Sequence, residues 1–398
     1  MTTGIRSGSQ ISRPRPRSVN ARLAWAMLIV LVFATRLTQA QGFTVLYAFG
    51  NGKDGGTPYS DLVRDSAGNL YGTTFSGGTA GDGTVFTLDA TGKETVLYSF
   101  QGGADGALPV AGLIRGAKGE LYGATVEGGA AGHGTIFKLD ATGTEIVLHH
   151  FKSADGSYPD ASLLRDASGN LYGATLEGGA SNVGTVFMLG RNREETVLHS
   201  FTGADGRFPY SYGGLIRDAN GNFYGTSLAG GASDQGVVFK LNAAGREIIL
   251  HTFTGGTDGG YPYAGLVMDE KGNLYGTTYM GGASGQGTIF RVTQGGKETV
   301  LYSFTGAADG GNPAARLLRD KKGNFFGTTY YGGASNSGVV FKLDKNHNLT
   351  VLHSLNYAND GGYPTARLIR DANGNLYGTA SAGGASNRGT VFRIALSN

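Results

Sequence analysis

No cysteine occurs among the 398 residues, which excludes a disulfide framework, a thiolate metal site, a cysteine nucleophile and a lipidated N-terminal cysteine. Tryptophan is nearly absent, the single residue being Trp25. Acidic side chains are missing from residues 1–40, which carry Arg6, Arg13, Arg15, Arg17, Arg22 and Arg36. Helix-length stretches without glycine are scarce, because 71 residues are Gly against an average usage of roughly 7%. An ordinary helical domain is thereby excluded. Hydrophobic content of 40% still supplies a core and argues against disorder.

The arginine-rich start runs into LAWAMLIVLVFA and then TRLTQA, the charged, apolar and small-residue order of a secretory signal. Its apolar core of 12 residues is short of the roughly 20 that span a bilayer as a helix, so a signal peptide over 1–40, cleaved after Ala40, is expected. Its removal turns the formal charge of +3 into a mild acidic excess, 27 basic against 30 acidic residues. The expected product is exported, secreted or held in the periplasm or cell envelope, without a membrane span. No nucleic-acid partner is expected, since no basic stripe survives the leader.

The rest of the chain repeats itself. Phe49, Phe100, Phe151, Phe201, Phe253, Phe304 and Leu355 close equivalent segments spaced 51, 51, 50, 52, 51 and 51 residues apart. Each unit holds four short apolar or alternating runs and none of helical period. In the first unit these are LVRD (62–65), NLYGTT (69–74), GTVFTLD (83–89) and ETVLYSF (94–100). Turn chemistry separates them. An Asp-to-Gly-Asn turn such as Asp65 to Asn69 joins the first two runs, and a Gly-Gly pair follows the second. An Asp-Gly and then one proline per unit lead into the next: Pro58, Pro109, Pro159, Pro209, Pro262, Pro313 and Pro364. Proline, which lacks a donor, suits a connection between sheets.

Four-stranded units of this size, with no helix to cover them, stack as a propeller or wind as a solenoid. The region 41–398 begins with a lone fourth strand (44–49) and ends with three strands of an unfinished unit (368–395). If the first completes the last, no strand is orphaned and no edge is left. The expectation is therefore an all-β, seven-bladed β-propeller closed by its N-terminal strand, and a monomer.

The segments GNLYGTT (272–278) and GVVFKL (338–343) carry a resemblance: the chain resembles the GloVer tandem repeat of exported bacterial proteins over nearly all of 44–395. The resemblance implies export and repetition, and no reaction or ligand.

Positions that recur in every unit are explained by the fold, so function is sought where units differ. The ring Asp54, Asp105, Asp155, Asp205, Asp258, Asp309 and Asp360 is read as turn-forming, because the dense acidic spacing of calcium loops is missing. On the innermost run, Arg64, Arg115, Arg165, Arg217, Arg319 and Arg370 are expected to pair with carboxylates between blades, with an anion site as the alternative. The outer column Tyr47, Tyr98, His149, His199, His251, Tyr302 and His353 belongs to different sheets, so no metal site and no cofactor are expected from it. We define the upper face as the one carrying the loops between blades and between second and third strands. There, Tyr210, Tyr212, Tyr263 and Tyr331 depart most from their columns and, with Arg388, are the ligand-binding candidates. Tyrosines of this kind suit a saccharide or peptide partner. Glu127, Glu177 and His133 form the alternative, a general acid/base group of a secreted polysaccharide lyase or hydrolase. A structural envelope protein without a discrete ligand is the third reading.

Overall fold

The computed structural model describes residues 42–50, 52–209, 214–243 and 245–396. The leader, Tyr210 and Tyr212 lie outside the described residues. The described region holds 28 strands and no helix.

In the first blade, β2 (Val63–Arg64), β3 (Leu70–Thr74), β4 (Thr84–Leu88) and β5 (Glu94–Ser99) pair antiparallel in chain order. The same meander recurs in the five sheets of β6 to β25, between 114 and 354. The seventh sheet is composite: β26 (Ile369–Arg370), β27 (Leu376–Ala380) and β28 (Thr390–Ala395) are completed by β1 (Gly42–Ala48), which pairs with β28. The closure expected from the chain order is thus what forms. The two-residue innermost strands line the axis, since Val63, Ile114, Leu164 and Ile216 from four successive blades border one space.

The core lies between blades, not within them. Phe100 at the end of one outer strand meets Phe137 of the next blade at 5.1 Å, and the same edge-on contact recurs from Phe49 to Phe86 at 5.3 Å and from Phe151 to Phe187 at 5.1 Å. All of these rings are fully buried. Their fit explains the glycine of the second strand. A Cβ on Gly72 would lie 2.8 Å from the Phe86 ring and 3.0 Å from Leu62, and equivalent collisions await Gly123 and Gly173.

Each junction is also stitched through its backbone. Leu108, just before Pro109, donates its N–H to the Asp82 carbonyl of the blade left behind (2.8 Å) and accepts from Val126 N–H of the blade being entered (3.3 Å). The proline then sits where a Cβ on Gly83 would be, 2.6 Å from the Pro109 Cδ. At the closure Thr57 donates to the Arg388 carbonyl (2.8 Å), accepts from Phe75 N–H (3.1 Å), and Pro58 seats on Gly389. This geometry requires a positive φ at Thr57, Leu108, Tyr158, Phe208, Tyr261, Asn312 and Tyr363, all between 53° and 59°. Glycine is the usual residue for such conformations, yet non-glycine residues take them at every junction.

The inner arginines behave differently from expectation. Arg115 stacks on Tyr71 of the preceding blade at 5.7 Å, Arg165 on Tyr122 at 5.2 Å, Arg217 on Tyr172 at 5.3 Å and Arg64 on Tyr377 at 5.8 Å. Carboxylate pairing is confined to Arg319 with Glu270 (3.1 Å) and Arg370 with Asp320 (3.5 Å). The reason is that the turn aspartate is already engaged: Asp65 accepts from Asn69 N–H (2.9 Å) and from the Tyr71 hydroxyl (3.1 Å), leaving the tyrosine face as the surface an arginine can cover.

If closure by β1 is as tight as the covalently continuous junctions, Phe49→Ala and Phe151→Ala should each destabilise by about 3–5 kcal/mol. Denaturant unfolding of the two variants makes the comparison, and a much milder Phe49 variant would mean a loosely docked first strand.

Candidate functional site

On the upper face each incoming loop is bridged to the loop after the second strand: Gly56 with Ser76, Ala107 with Glu127, Ser157 with Glu177, Arg207 with Ala229, Gly260 with Met280, Gly311 with Tyr331 and Gly362 with Ala382. The variable column Ser76, Glu127, Glu177, Ala229, Met280, Tyr331 and Ala382 is therefore displayed on a hydrogen-bonded frame. Met280 and Tyr331, in neighbouring blades, are its exposed large apolar members, at 46% and 38%.

Beside them runs a belt of tyrosines. Tyr263 meets Tyr279 at 4.8 Å between ring centroids, Tyr279 meets Tyr330 at 6.5 Å, and Tyr330 stacks on Tyr363 at 5.0 Å and 19°. Tyr331 packs against both Tyr330 (4.8 Å) and Tyr363 (5.6 Å), and Tyr357 extends the row at 5.5 Å from Tyr363. Burial raises the pKa of Tyr263 and Tyr279, and burial with the neighbouring phenols pushes Tyr330 up to about 12. The belt thus presents aromatic faces edged with hydroxyls that both donate and accept.

Of the residues singled out from sequence, Tyr263 and Tyr331 belong to this belt. Arg388 lies elsewhere on the face, its guanidinium 3.4 Å from a Cβ built on Gly52 and its backbone in the closing stitch. His133 bonds Ser157 Oγ through Nδ1 (3.1 Å), and Ser157 is the residue bridged to Glu177, so these two sit at one junction, between the second and third blades. Glu127 is bridged to Ala107 at the junction before it. The acid/base alternative is therefore spread over two junctions. Elsewhere on the face charges pair locally: Arg207 holds Asp234 through two bonds of 3.0 and 2.5 Å.

A carboxyl group near this junction that proves buried is Asp160. It is 4% exposed, neither oxygen has a hydrogen-bond partner, and burial raises its pKa well above the usual range. Val110 occupies the same position in the second blade.

The outer column forms groups that were not foreseen. Each aspartate of the ring caps its own turn, as Asp54 does for Gly50 N–H (2.7 Å) and Gly52 N–H (3.1 Å), and stands beside the outer-strand Tyr or His. Tyr98 donates to Asp105 at 3.0 Å and His199 Nε2 lies 3.1 Å from Asp205. A glutamate from the next blade completes the group, and the signal for it was the repeated Glu opening ETVLYSF, EIVLHHF and ETVLHSF. Burial, then the neighbouring aspartate, pushes Glu94, Glu145, Glu195, Glu247 and Glu298 up to about 7. In His199, Asp205 and Glu247 the donor atoms lie within 4.8 Å of one another, the densest such group among the described residues.

The Gloeobacter/Verrucomicrobia repeat model matches residues 31–213 and 210–398. Seven stitched blades and that match define a repeat β-propeller, and the chain belongs to the Gloeobacter/Verrucomicrobia repeat family. No curated protein matches it. Among solved structures it is similar to the extracellular domain of a candidate hybrid two-component system from B. thetaiotaomicron (TM-score 0.58, 12% identity, 90% of this chain and 40% of that one). A puromycin-hydrolyzing peptidase of Mycobacterium tuberculosis (0.55, 13%, 90% and 55%) and a candidate 6-phosphogluconolactonase of Bacteroides uniformis (0.52, 17%, 81% and 90%) are also similar. At these identities the likeness is one of fold. The chain spans well under half of the first of these proteins.

Two outcomes follow. Replacing the unpartnered acid by its counterpart, Asp160→Val, should stabilise the protein by about 1–3 kcal/mol, more at pH 8 than at pH 5, in denaturant titrations. For the five glutamates the folded state favours the protonated form, so their contribution is fully present below the ordinary carboxylate pKa and lost as pH rises through about 7. The melting temperature should fall between pH 5.5 and 8.5, and Glu195→Gln with Glu247→Gln and Glu298→Gln should flatten that fall. His251, whose pKa burial lowers against the pull of Asp258, adds to neither limb above pH 7.

Proposed function

We propose that the protein is an exported binding module that holds a saccharide on its upper face. The observation that carries this reading is the continuous belt Tyr263, Tyr279, Tyr330, Tyr331, Tyr363 and Tyr357, partly exposed and mounted on bridged loops. Sugar rings offer apolar C–H faces and a periphery of hydroxyls; aromatic faces edged with phenols match both. A rigid frame lowers the ordering cost of binding. The arginine-rich, apolar leader over 1–40 supports export, and no helix among the described residues is long and apolar enough to cross a membrane. Tyr210 and Tyr212 belong to the same set of candidates.

Glycan-array binding of the chain from residue 41 onward, followed by titration calorimetry, tests the reading. Tyr331→Ala and Tyr263→Ala should each weaken the bound glycan about tenfold with the melting temperature little changed for exposed Tyr331. Absence of any bound glycan, or affinity unchanged by both substitutions, would overturn it.

A further inference from the structure

On the face opposite the tyrosine belt, two turns in neighbouring blades break the pattern of the repeat. The turn between first and second strands opens on aspartate and closes on asparagine, as at Asp65 and Asn69 or Asp166 and Asn170, whereas the second blade has Gly116 and Glu120. The turn between third and fourth strands has glycine as its fourth residue in Gly92, Gly143, Gly245 and Gly296, whereas the third blade has Arg193, with Gly190 and Arg191 before it. Arg193 holds a φ of 66°, a conformation glycine takes freely and a side chain does not. The fold does not dictate either departure, since the other blades form without them.

Both departures border one cavity of about 440 Å³ between the second and third blades. Its wall is apolar where Leu148, Leu171 and Leu189 reach it, and elsewhere it is basic: Lys118 and Lys138 come from one blade, Arg165, Arg191 and Arg193 from the other. The missing aspartate changes this wall. In the flanking blades the Tyr71 hydroxyl donates to Asp65 (3.1 Å) and the Tyr172 hydroxyl to Asp166 (3.0 Å), but Gly116 offers Tyr122 no such acceptor and brings no negative charge.

The carboxylate that lines the cavity is Glu120. It accepts from Lys118 N–H (3.1 Å) and acts on the two lysines, and Asp140 acts on Lys138 as well. Among the described residues no ion pair or hydrogen bond engages the guanidinium of Arg165, Arg191 or Arg193. Arg165 lies over the Tyr122 ring at 5.2 Å, a contact of faces that leaves its in-plane N–H groups for an acceptor. A Cβ built on Gly169 would lie 3.2 Å from Arg165 Nη2 and 3.1 Å from Arg191 Cδ, so these two side chains meet over that glycine. Planar forks held together in this way match the oxygens of a phosphate, and three of them suit a dianion better than a single carboxylate. The volume is that of a small-molecule site.

We propose that this cavity binds an organic phosphomonoester, its phosphate held by Arg165, Arg191 and Arg193 and its body against the leucine wall. The site lies on the face opposite the tyrosine belt and does not rest on the saccharide reading.

The test is titration calorimetry and thermal shift on the chain from residue 41 onward, with phenyl phosphate, inorganic phosphate and benzoate as probes. Phenyl phosphate should bind saturably and more tightly than inorganic phosphate, and benzoate at least tenfold more weakly than phenyl phosphate. Arg191→Ala should weaken phenyl phosphate at least tenfold. Arg193→Gly is the second variant: glycine occupies that place in four other turns, so the melting temperature should hold while binding weakens at least tenfold. Arg246→Gln, which removes the same charge from the corresponding turn of the fourth blade, outside the cavity lining, should leave binding unchanged. Sedimentation with phosphatidate-containing vesicles separates two sources of the same group. Capture that phenyl phosphate reverses supports a lipid headgroup as the ligand, and phenyl phosphate binding without capture supports a free ester. No saturable binding of phenyl phosphate, inorganic phosphate or benzoate bound as tightly as it, or affinity unaffected by Arg193→Gly would each overturn the proposal.

Discussion

Every blade passes the chain to the next through one residue that gives its N–H to the blade left behind and its C=O to the blade ahead. The stitch demands a left-handed backbone, which costs a non-glycine residue about 1–2 kcal/mol. Two hydrogen bonds, each contributing about 1 kcal/mol net, offset that cost. The proline that follows locks the path, and the glycine of the preceding blade receives its ring. Because the stitch spans a junction, it fixes the spacing of the blades, and with it the phenylalanine contacts between them, the reach of arginines to tyrosines below, and the frame of the upper face.

A second device sets what each blade shows its neighbours. All seven outer strands carry a bulge at one place, as between Val85 and Phe86 opposite Tyr98 and Val96. The unpaired residue reverses the alternation of faces, so that Glu94 looks toward the blade before and Tyr98 toward the blade after. The Tyr or His, Asp and Glu groups are consequently assembled from two blades each. Two junctions depart: Leu349 and Phe43 stand where the glutamate would be, and Phe43 stacks on His353 at 3.9 Å instead. The closing strand thus makes an aromatic contact where most junctions have a titrating one.

Much of this was legible in the sequence. The period, the four runs, the proline between sheets and the closure follow from spacing and from the unpaired strands at the two ends, because strand alternation and turn chemistry are local. What escaped required neighbours to be known. A Leu or Tyr before proline carries no mark of a positive φ, so nothing in the sequence singles out Leu108 and Tyr158 for that conformation. Arginine stacking on Tyr71 depends on Asp65 already being occupied. At the site, Tyr263 and Tyr331 stood out as departures from their columns, whereas Tyr330 and Tyr357 gain their meaning only when the ring brings adjacent blades together. Asp160 looked like any loop carboxylate until its burial was known.

The closing strand has a temporal consequence as well. β1 is among the first parts of the folded region to be synthesised, and its partner β28 is the last. Until β28 pairs with β1, its edge stays open, so six blades can stack while the ring stays unlatched. Pairing across so long a loop is slow, and an open edge invites strands of other chains. The sequence separation that makes the ring seamless when finished therefore sets an interval, between the end of synthesis and latching, in which the protein is most prone to associate with copies of itself.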